Sequence, residues 1–207
     1  MSPIITHQDE LELAKNEKEL ASQLKKLAKW QRAVGGSQIK LAADLSKMNI
    51  ARQTLNRIFR DVLKQMQTLA REHRSNVDEE EVNTFENLIN ANDEYLEANT
   101  LYINAIKDLA IRKQDLAIRK DSFANALIEL AGKRSNVIKK ALNIEKTKNK
   151  LIEGAKLTEL ENRLDDSQRE FDRSKNILRK EIDQFLQVRA ELNELWLKLK
   201  DSISEMS

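Results

Sequence analysis

The two histidines, His7 and His73, are the side chains most able to bind a metal ion or transfer a proton, and they lie 66 positions apart. The chain has no cysteine, and no acidic pair accompanies the histidines at the spacing of a metal-ligand set. It also lacks a glycine-rich phosphate loop and a Gly-x-Ser-x-Gly nucleophile motif. These patterns argue against an enzyme, a metal site and a cofactor, and the missing cysteines exclude disulfides.

Clustered lysines and arginines are the other candidates for function, because a net charge of +2 leaves basic surface only where charge is segregated locally. The strongest segregation lies in residues 131–156, which hold eight basic residues against two acidic ones. Such a segment either binds an anionic membrane, to which each basic residue contributes about 1 kcal/mol, or is a solvated helix end. The candidate membrane-binding residues there are Lys133, Arg134, Lys139, Lys140, Lys146, Lys148 and Lys150.

A second basic group lies in DLAIRKQDLAIRKD, residues 108–121, in which seven residues occur twice. The repeat places Arg112 with Arg119, and Lys113 with Lys120, one heptad apart on one side of a helix. All four side chains are candidate membrane contacts. Lys113 and Lys120, which interrupt an apolar column, could instead pair with acids on a neighbouring helix or be solvated.

The segment LASQLKKLAKWQRAV, residues 20–34, carries four basic residues and no acidic one beside its leucines and Trp30. Taken alone, it could lie as an amphipathic helix in a bilayer interface. Its leucines stay in register with Leu41 and the apolar positions beyond, which favours packing inside a longer helix.

Heptad spacing organises the whole chain. Apolar or aromatic residues occupy every seventh position in three runs, from Leu13 to Leu69, from Leu88 to Leu151 and from Leu157 to Leu199. A period of seven gives 3.5 residues per turn and a left-handed coiled coil, and alanines in the column beside the second run allow close helix approach. The residues predicted to form the core or dimer seam are Leu41, Met48, Leu55, Leu109, Leu116, Phe123, Leu178, Phe185 and Leu192.

Composition supports the same interpretation, since 34% of the residues are charged and only four are glycine and one is proline. Charges that suit helix ends near residues 71–81, and a glycine at 154, predict helices over about 8–73, 78–152 and 155–205 in a single domain, 1–207. A middle helix on the order of 110 Å long leaves apolar surface that one copy cannot cover, so a dimer is expected. A cytoplasmic protein is expected because neither a membrane span nor a signal peptide is evident.

The stretch EFDRSKNILRKEIDQF, residues 170–185, resembles the last-helix signature of the BAR domains of sorting nexins, and SQLKKL at 22–27 resembles the start of their first helix. The three-helix plan is similar as well and covers nearly all of the chain. The resemblance implies an all-α fold: three long antiparallel helices in a coiled-coil bundle that dimerises into a crescent. It also implies a function in sensing or remodelling curved endosomal membrane.

The implied partners are a second copy or a related sorting nexin, and an anionic, phosphoinositide-rich membrane. The implied location is peripheral, on endosomes, in protein sorting and intracellular transport, with no cofactor. The family's upstream phox-homology domain does not fit before Leu11, so an excised BAR fragment is expected. The alternative is a structural coiled-coil scaffold or tether without membrane contact. Nucleic acid is not an expected partner, because the net charge is small and aromatic clusters are lacking.

Overall fold

A computed structural model of the chain describes residues 6–72, 79–148 and 154–205. It contains three α-helices: α1 (His7–Glu72), α2 (Glu79–Lys148) and α3 (Gly154–Glu205). The described residues include no β-strand. The prediction of an all-α chain with three long helices is therefore confirmed. The predicted end of the first helix at 73 and the predicted bounds of the second at 78 and 152 lie outside the described residues.

Helix ends carry the polar groups that their backbone requires. At the start of α1 the Thr6 hydroxyl accepts a hydrogen bond from the Asp9 backbone N–H, and the Asp9 carboxylate accepts one from the Thr6 backbone N–H at 2.8 Å. Hydrogen bonds from the Thr6 side chain and backbone hold the pKa of Asp9 below its usual value. The α2 helix begins with three glutamates, whose charge suits the positive end of the helix dipole.

The chain divides into two compact units, each built from segments of all three helices. Unit 1 comprises Met1–Ala33 and Arg112–Leu192, and unit 2 comprises Val34–Ile111 and Asn193–Ser207. In unit 1, α1 and α2 are joined by the pairs Arg32–Asp121 and Glu17–Arg134, and α2 and α3 by Arg112–Glu191 and Lys133–Glu170. In each case the numbers rise along one helix as they fall along the other, so α2 runs antiparallel to both α1 and α3.

The core of unit 1 is built on small side chains. Ala21 of α1 and Ala124 of α2 are completely buried and form a cluster with Leu127, against which Leu24 and Leu178 pack. Alanine lets helix backbones approach closely, so the larger side chains fill the flanks of each contact. On one such flank the rings of Phe123 and Phe185 stack with their centroids 6.1 Å apart.

The core of unit 2 joins α1 to α2 in antiparallel order. One cluster contains Ala42, Ile103 and Ile106, and a second contains Leu63, Val82 and Ile89. Beside the second cluster, Phe59 and Phe85 meet edge to face at 5.7 Å. Their geometry is a favoured one for aromatic pairs, so it adds to the apolar burial in holding the two helices together.

The buried column of α1 differs from the leucine column that heptad counting emphasises. Small or polar residues one position further along are buried, among them Ala14, Ala21, Ala28, Ala42, Asn49 and Asn56, followed by Leu63. The predicted seam residues Leu41, Met48 and Leu55 are about half exposed in this single chain, with Met48 at 56%. Of the other predicted seam residues, Leu109 and Leu116 are buried, and Phe123, Leu178, Phe185 and Leu192 are half-buried.

Candidate interaction surfaces

The described residues offer no group of three or more His, Cys, Asp or Glu side chains that could hold a metal ion. His7 lies at the start of α1, where its Nε2 is 3.1 Å from Glu145 Oε1 of α2. This contact is a surface pair between two helices rather than a metal-ligand set. His73 lies outside the described residues.

The arginines of the heptad repeat contact α3 within unit 1. Arg112 Nη1 lies 3.3 Å from Glu191 Oε2 of α3, and Arg119 Nη1 donates to Gln184 Oε1 at 2.7 Å. An open groove beside these pairs is lined by both arginines together with Ile118 and Glu191. The two arginines, which are one heptad apart in the sequence, therefore each contact a polar side chain of α3.

Of the two lysines of the repeat, Lys120 is directed toward α1. Lys120 is buried, and its Nζ donates to Gln31 Oε1 at 2.8 Å. Burial, together with the nearby positive charge of Arg189, lowers the pKa of Lys120. Lys113 is half-buried. The Lys120 ammonium is thus directed into the bundle, where it is bonded to α1 in the single chain.

Arg134 forms the most buried charge cluster of unit 1. Its guanidinium donates to both Glu17 oxygens, at 2.9 and 3.2 Å, and also to Glu10 on the same face of α1. The guanidinium carbon lies 5.1 Å from the centre of the Phe171 ring of α3. Burial lowers the pKa of Arg134, but the hydrogen bonds that it donates to both glutamates, together with their negative charges, outweigh burial and raise the pKa overall. This predicted membrane contact thus links all three helices.

The remaining predicted membrane contacts fall into two groups. Lys133 pairs with Glu170 at 2.8 Å, Lys148 pairs with Glu161 at 3.2 Å, and Lys140 donates to the Arg163 carbonyl and the Ser167 hydroxyl. Lys139 and Lys146 are exposed, and neither makes an ion pair with any residue that the structure describes. Lys150 lies outside the described residues. Membrane binding by these lysines stays a prediction.

A broad apolar face lies open on unit 2. The leucine column of α1 is exposed there, and so are Leu88 and Tyr95 of α2. Arg52 of α1 adjoins Met48 and Leu55 on the helix surface, and its guanidinium carbon lies 4.8 Å from the centre of the Tyr95 ring. The exposed columns of the two helices therefore lie on the same side of the helix pair. An open groove between the helices is lined by Met66, Phe85 and Leu88. The exposed α1 members of this face are Leu41, Met48, Leu55, Ile58, Val62 and Leu69.

A buried polar network in unit 2 is a feature that the sequence-based analysis missed. Asn49 donates to the Thr100 hydroxyl at 2.8 Å and to the Leu96 carbonyl, and it accepts from Asn99 at 2.9 Å. One heptad later Asn56 donates to Asp93 at 2.6 Å, and Asp93 also pairs with Arg60. The signal was present, because the two asparagines interrupt the column of Ala42 and Leu63 at intervals of seven. Buried asparagines in such columns select one register of helix pairing.

Comparison with protein-family models, with curated proteins and with solved structures finds no match for this chain. In the part of the chain that the structure describes, no helix has a stretch apolar enough, over sufficient length, to cross a membrane.

Proposed function

We propose that this chain is a dimerising helical module that senses or remodels curved anionic membrane in endosomal protein sorting. The observation that carries the proposal is the open apolar face of unit 2. A single chain leaves more than half of the Met48 surface exposed in a row of similar side chains, and large apolar patches of this kind mark interaction sites. A second copy, or a related sorting nexin, would cover them.

Charge supports pairing between two copies. The α1 segment of unit 2, residues 34–72, has seven basic and three acidic residues, whereas the α2 segment, 79–111, has one basic and eight acidic residues. In a two-fold arrangement, α1 of one copy can lie across α2 of its partner, so that opposite charges meet on both sides of the apolar contact. The same surface patch thereby supplies both halves of the interface.

The membrane part of the proposal is supported by the resemblance to BAR domains and by the exposed cations of α2. A rigid curved dimer would bring Lys139 and Lys146 of each copy to an anionic, phosphoinositide-rich surface at once. More charges reach lipid phosphates when the bilayer follows the curve of the protein, so binding strengthens with curvature. A cytoplasmic module acting peripherally on endosomal membranes would follow.

One observation favours a second function, that of a coiled-coil scaffold or tether without membrane contact. Most of the candidate membrane cations that the structure describes are occupied within unit 1, as with Arg134 on Glu17 and Lys133 on Glu170. An occupied cation must leave its partner to bind a phosphate, which reduces the gain in binding free energy. A scaffold of this kind would also form the dimer, but it would not bind vesicles.

Sedimentation equilibrium tests the dimer. The parent chain should have twice the mass of one copy, and Met48→Glu with Leu55→Glu should convert it to a monomer, because the glutamates place like charges in the apolar contact. Ile177→Glu with Leu186→Glu, at equally exposed positions of unit 1, is the matched control and should remain dimeric. A parent chain that is monomeric at all concentrations would overturn pairing between two copies of this chain.

Co-sedimentation with anionic vesicles separates the two functions. A curvature-sensing module should bind small vesicles better than large ones, and the binding should weaken as salt rises. Lys139→Glu with Lys146→Glu should reduce that binding without changing the dimer mass. Absence of binding to either vesicle size, with the dimer retained, would favour the scaffold.

A further inference from the structure

The first helix has a second exposed apolar surface, in unit 1, that the core does not use. Ala21 and Ala28 make the buried contact of this stretch, while Leu20 and Leu27 remain nearly half exposed and Trp30 is 62% exposed. The sequence favours packing of this stretch inside a longer helix. In the structure the alanines make that packing contact, and the larger side chains remain at the surface. Leu20 and Leu27 are one heptad apart, and Trp30 follows Leu27 by three positions, so the three side chains adjoin along one side of α1.

Lysines continue this surface around the helix. Lys26 precedes Trp30 by four positions and so lies beside it, and Lys25 and Lys29 follow further around the exposed arc. All three lysines are exposed, and none forms an ion pair within residues 6–72, 79–148 and 154–205. The exposed arc of α1 thus changes from apolar through Trp30 to basic.

We propose that the stretch of α1 from Leu20 to Lys29, together with Trp30, docks against an anionic lipid surface. This deepens the proposed membrane function and rests on it, but it moves a principal contact from the basic end of α2 to the first helix. Leucine and tryptophan would enter the interface, and the lysines would meet lipid phosphates at its edge. A helix with large apolar side chains on one side and lysines on the other is suited to lying in the interface plane.

The charge of this surface argues against a second copy of this chain as its partner. A two-fold contact centred on Trp30 would bring lysines against lysines, because residues 20–34 contain four basic residues and no acidic one. The apolar face of unit 2 differs, since acidic and basic helices there can complement each other. Trp30 suits an interface with lipid for a further reason: its ring is apolar while its N–H requires a polar partner, and headgroups supply one.

Tryptophan fluorescence tests the contact directly, because the chain has two tryptophans, Trp30 in unit 1 and Trp196 in unit 2. In the Trp196→Phe variant, vesicles of phosphatidylcholine with phosphatidylserine should shift the Trp30 emission to shorter wavelength, and brominated acyl chains should quench it. The matched control, Trp30→Phe, retains Trp196 and should show no quenching. Co-sedimentation on the same samples reports binding independently.

The outcomes separate this inference from the proposed function. Vesicle binding with an unshifted, unquenched Trp30 would overturn the α1 contact and leave membrane binding in place. Absence of vesicle binding would overturn both. A shift that appears without vesicles as protein concentration rises would assign the surface to self-association or another protein contact, and would also overturn the inference.

Charge variants give a second readout. Replacing Lys25, Lys26 and Lys29 by glutamine should weaken partitioning onto anionic vesicles about a hundredfold, at about 1 kcal/mol for each lysine. Leu20→Ser with Leu27→Ser should weaken partitioning about tenfold, because the two leucines would no longer bury apolar surface in the lipid. These positions are exposed, so circular dichroism should be unchanged. Lys107→Gln with Lys180→Gln, at exposed positions outside the proposed membrane contacts, is the matched control and should leave the Trp30 shift intact. Unchanged partitioning of the triple variant would overturn the inference.

Discussion

Arg134 Nη2 lies 2.9 Å from Glu17 Oε1, and the two side chains are only 14% and 13% exposed. Removing one partner of a buried pair leaves the other charge without compensation, which costs several kcal/mol. We expect Arg134→Ala to lower the free energy of unfolding by about 3 kcal/mol, as measured by urea denaturation.

Arg163→Ala is the control for this prediction. Arg163 pairs with Glu159 four residues away on the surface of α3, and both side chains are exposed. Such pairs contribute about 0.5 kcal/mol or less. Equal effects of the two substitutions would contradict the structural role given to Arg134.

Lys120 is expected to destabilise the fold at neutral pH. Its burial lowers the pKa in the folded chain, so the unfolded chain binds its proton more strongly. The penalty is present below the folded-state pKa and is relieved as the pH rises toward the unfolded value. Lys120→Met should therefore raise the free energy of unfolding by about 1 kcal/mol at pH 7.

The pH profile is the decisive measurement for Lys120. The stability advantage of Lys120→Met over the parent should shrink as the pH rises into the alkaline range. Lys107→Met, at an exposed position of α2, should show no such trend. A difference for Lys120→Met that stays constant with pH would show that burial of its charge is not the cause.

Glu170 links α3 to Lys133 of α2, and its hydrogen bond and charge interaction with that lysine lower the pKa of its carboxyl. A depressed folded-state pKa gives stability that is present above the unfolded pKa and is lost as the pH falls through the folded value. The difference in unfolding free energy between the parent and Glu170→Gln should therefore diminish in acid. Since the pair is exposed, added salt should diminish it at neutral pH as well. A difference that grows on acidification would contradict the assignment.

Asn49 is expected to stabilise unit 2 through its hydrogen bonds to α2. Asn49→Ala should lower the free energy of unfolding by about 2 kcal/mol, because the substitution leaves the partly buried Asn99 amide without its acceptor and removes the bond to Thr100. Thermal and urea denaturation measure the effect. Asn90→Ala, at an exposed position of α2, should change stability by about 0.5 kcal/mol or less.

Much of the fold follows from the sequence alone. Periodicity and charge act locally, so the heptad columns predict three helices and the glutamates at residues 79–81 mark the beginning of α2. The two apolar columns of α2 were also visible, and Ala117, Ala124 and Ala131 are buried as closely packing residues should be.

Tertiary structure decided which column of α1 faces inward. Counting apolar residues favours the leucines, yet the column of Ala21 and Ala28 makes the contact, since small side chains let helices approach and the leucines then lie beside the contact. Tertiary structure also decided the partners of the basic residues. Arg134 pairs with Glu10, which lies 124 positions away in the sequence, and counting charges within a local segment cannot predict a pair so far apart. The short-range pattern of the sequence therefore determined where helices form. Packing of the helices determined which apolar and basic side chains remain exposed, because it buried or paired the others.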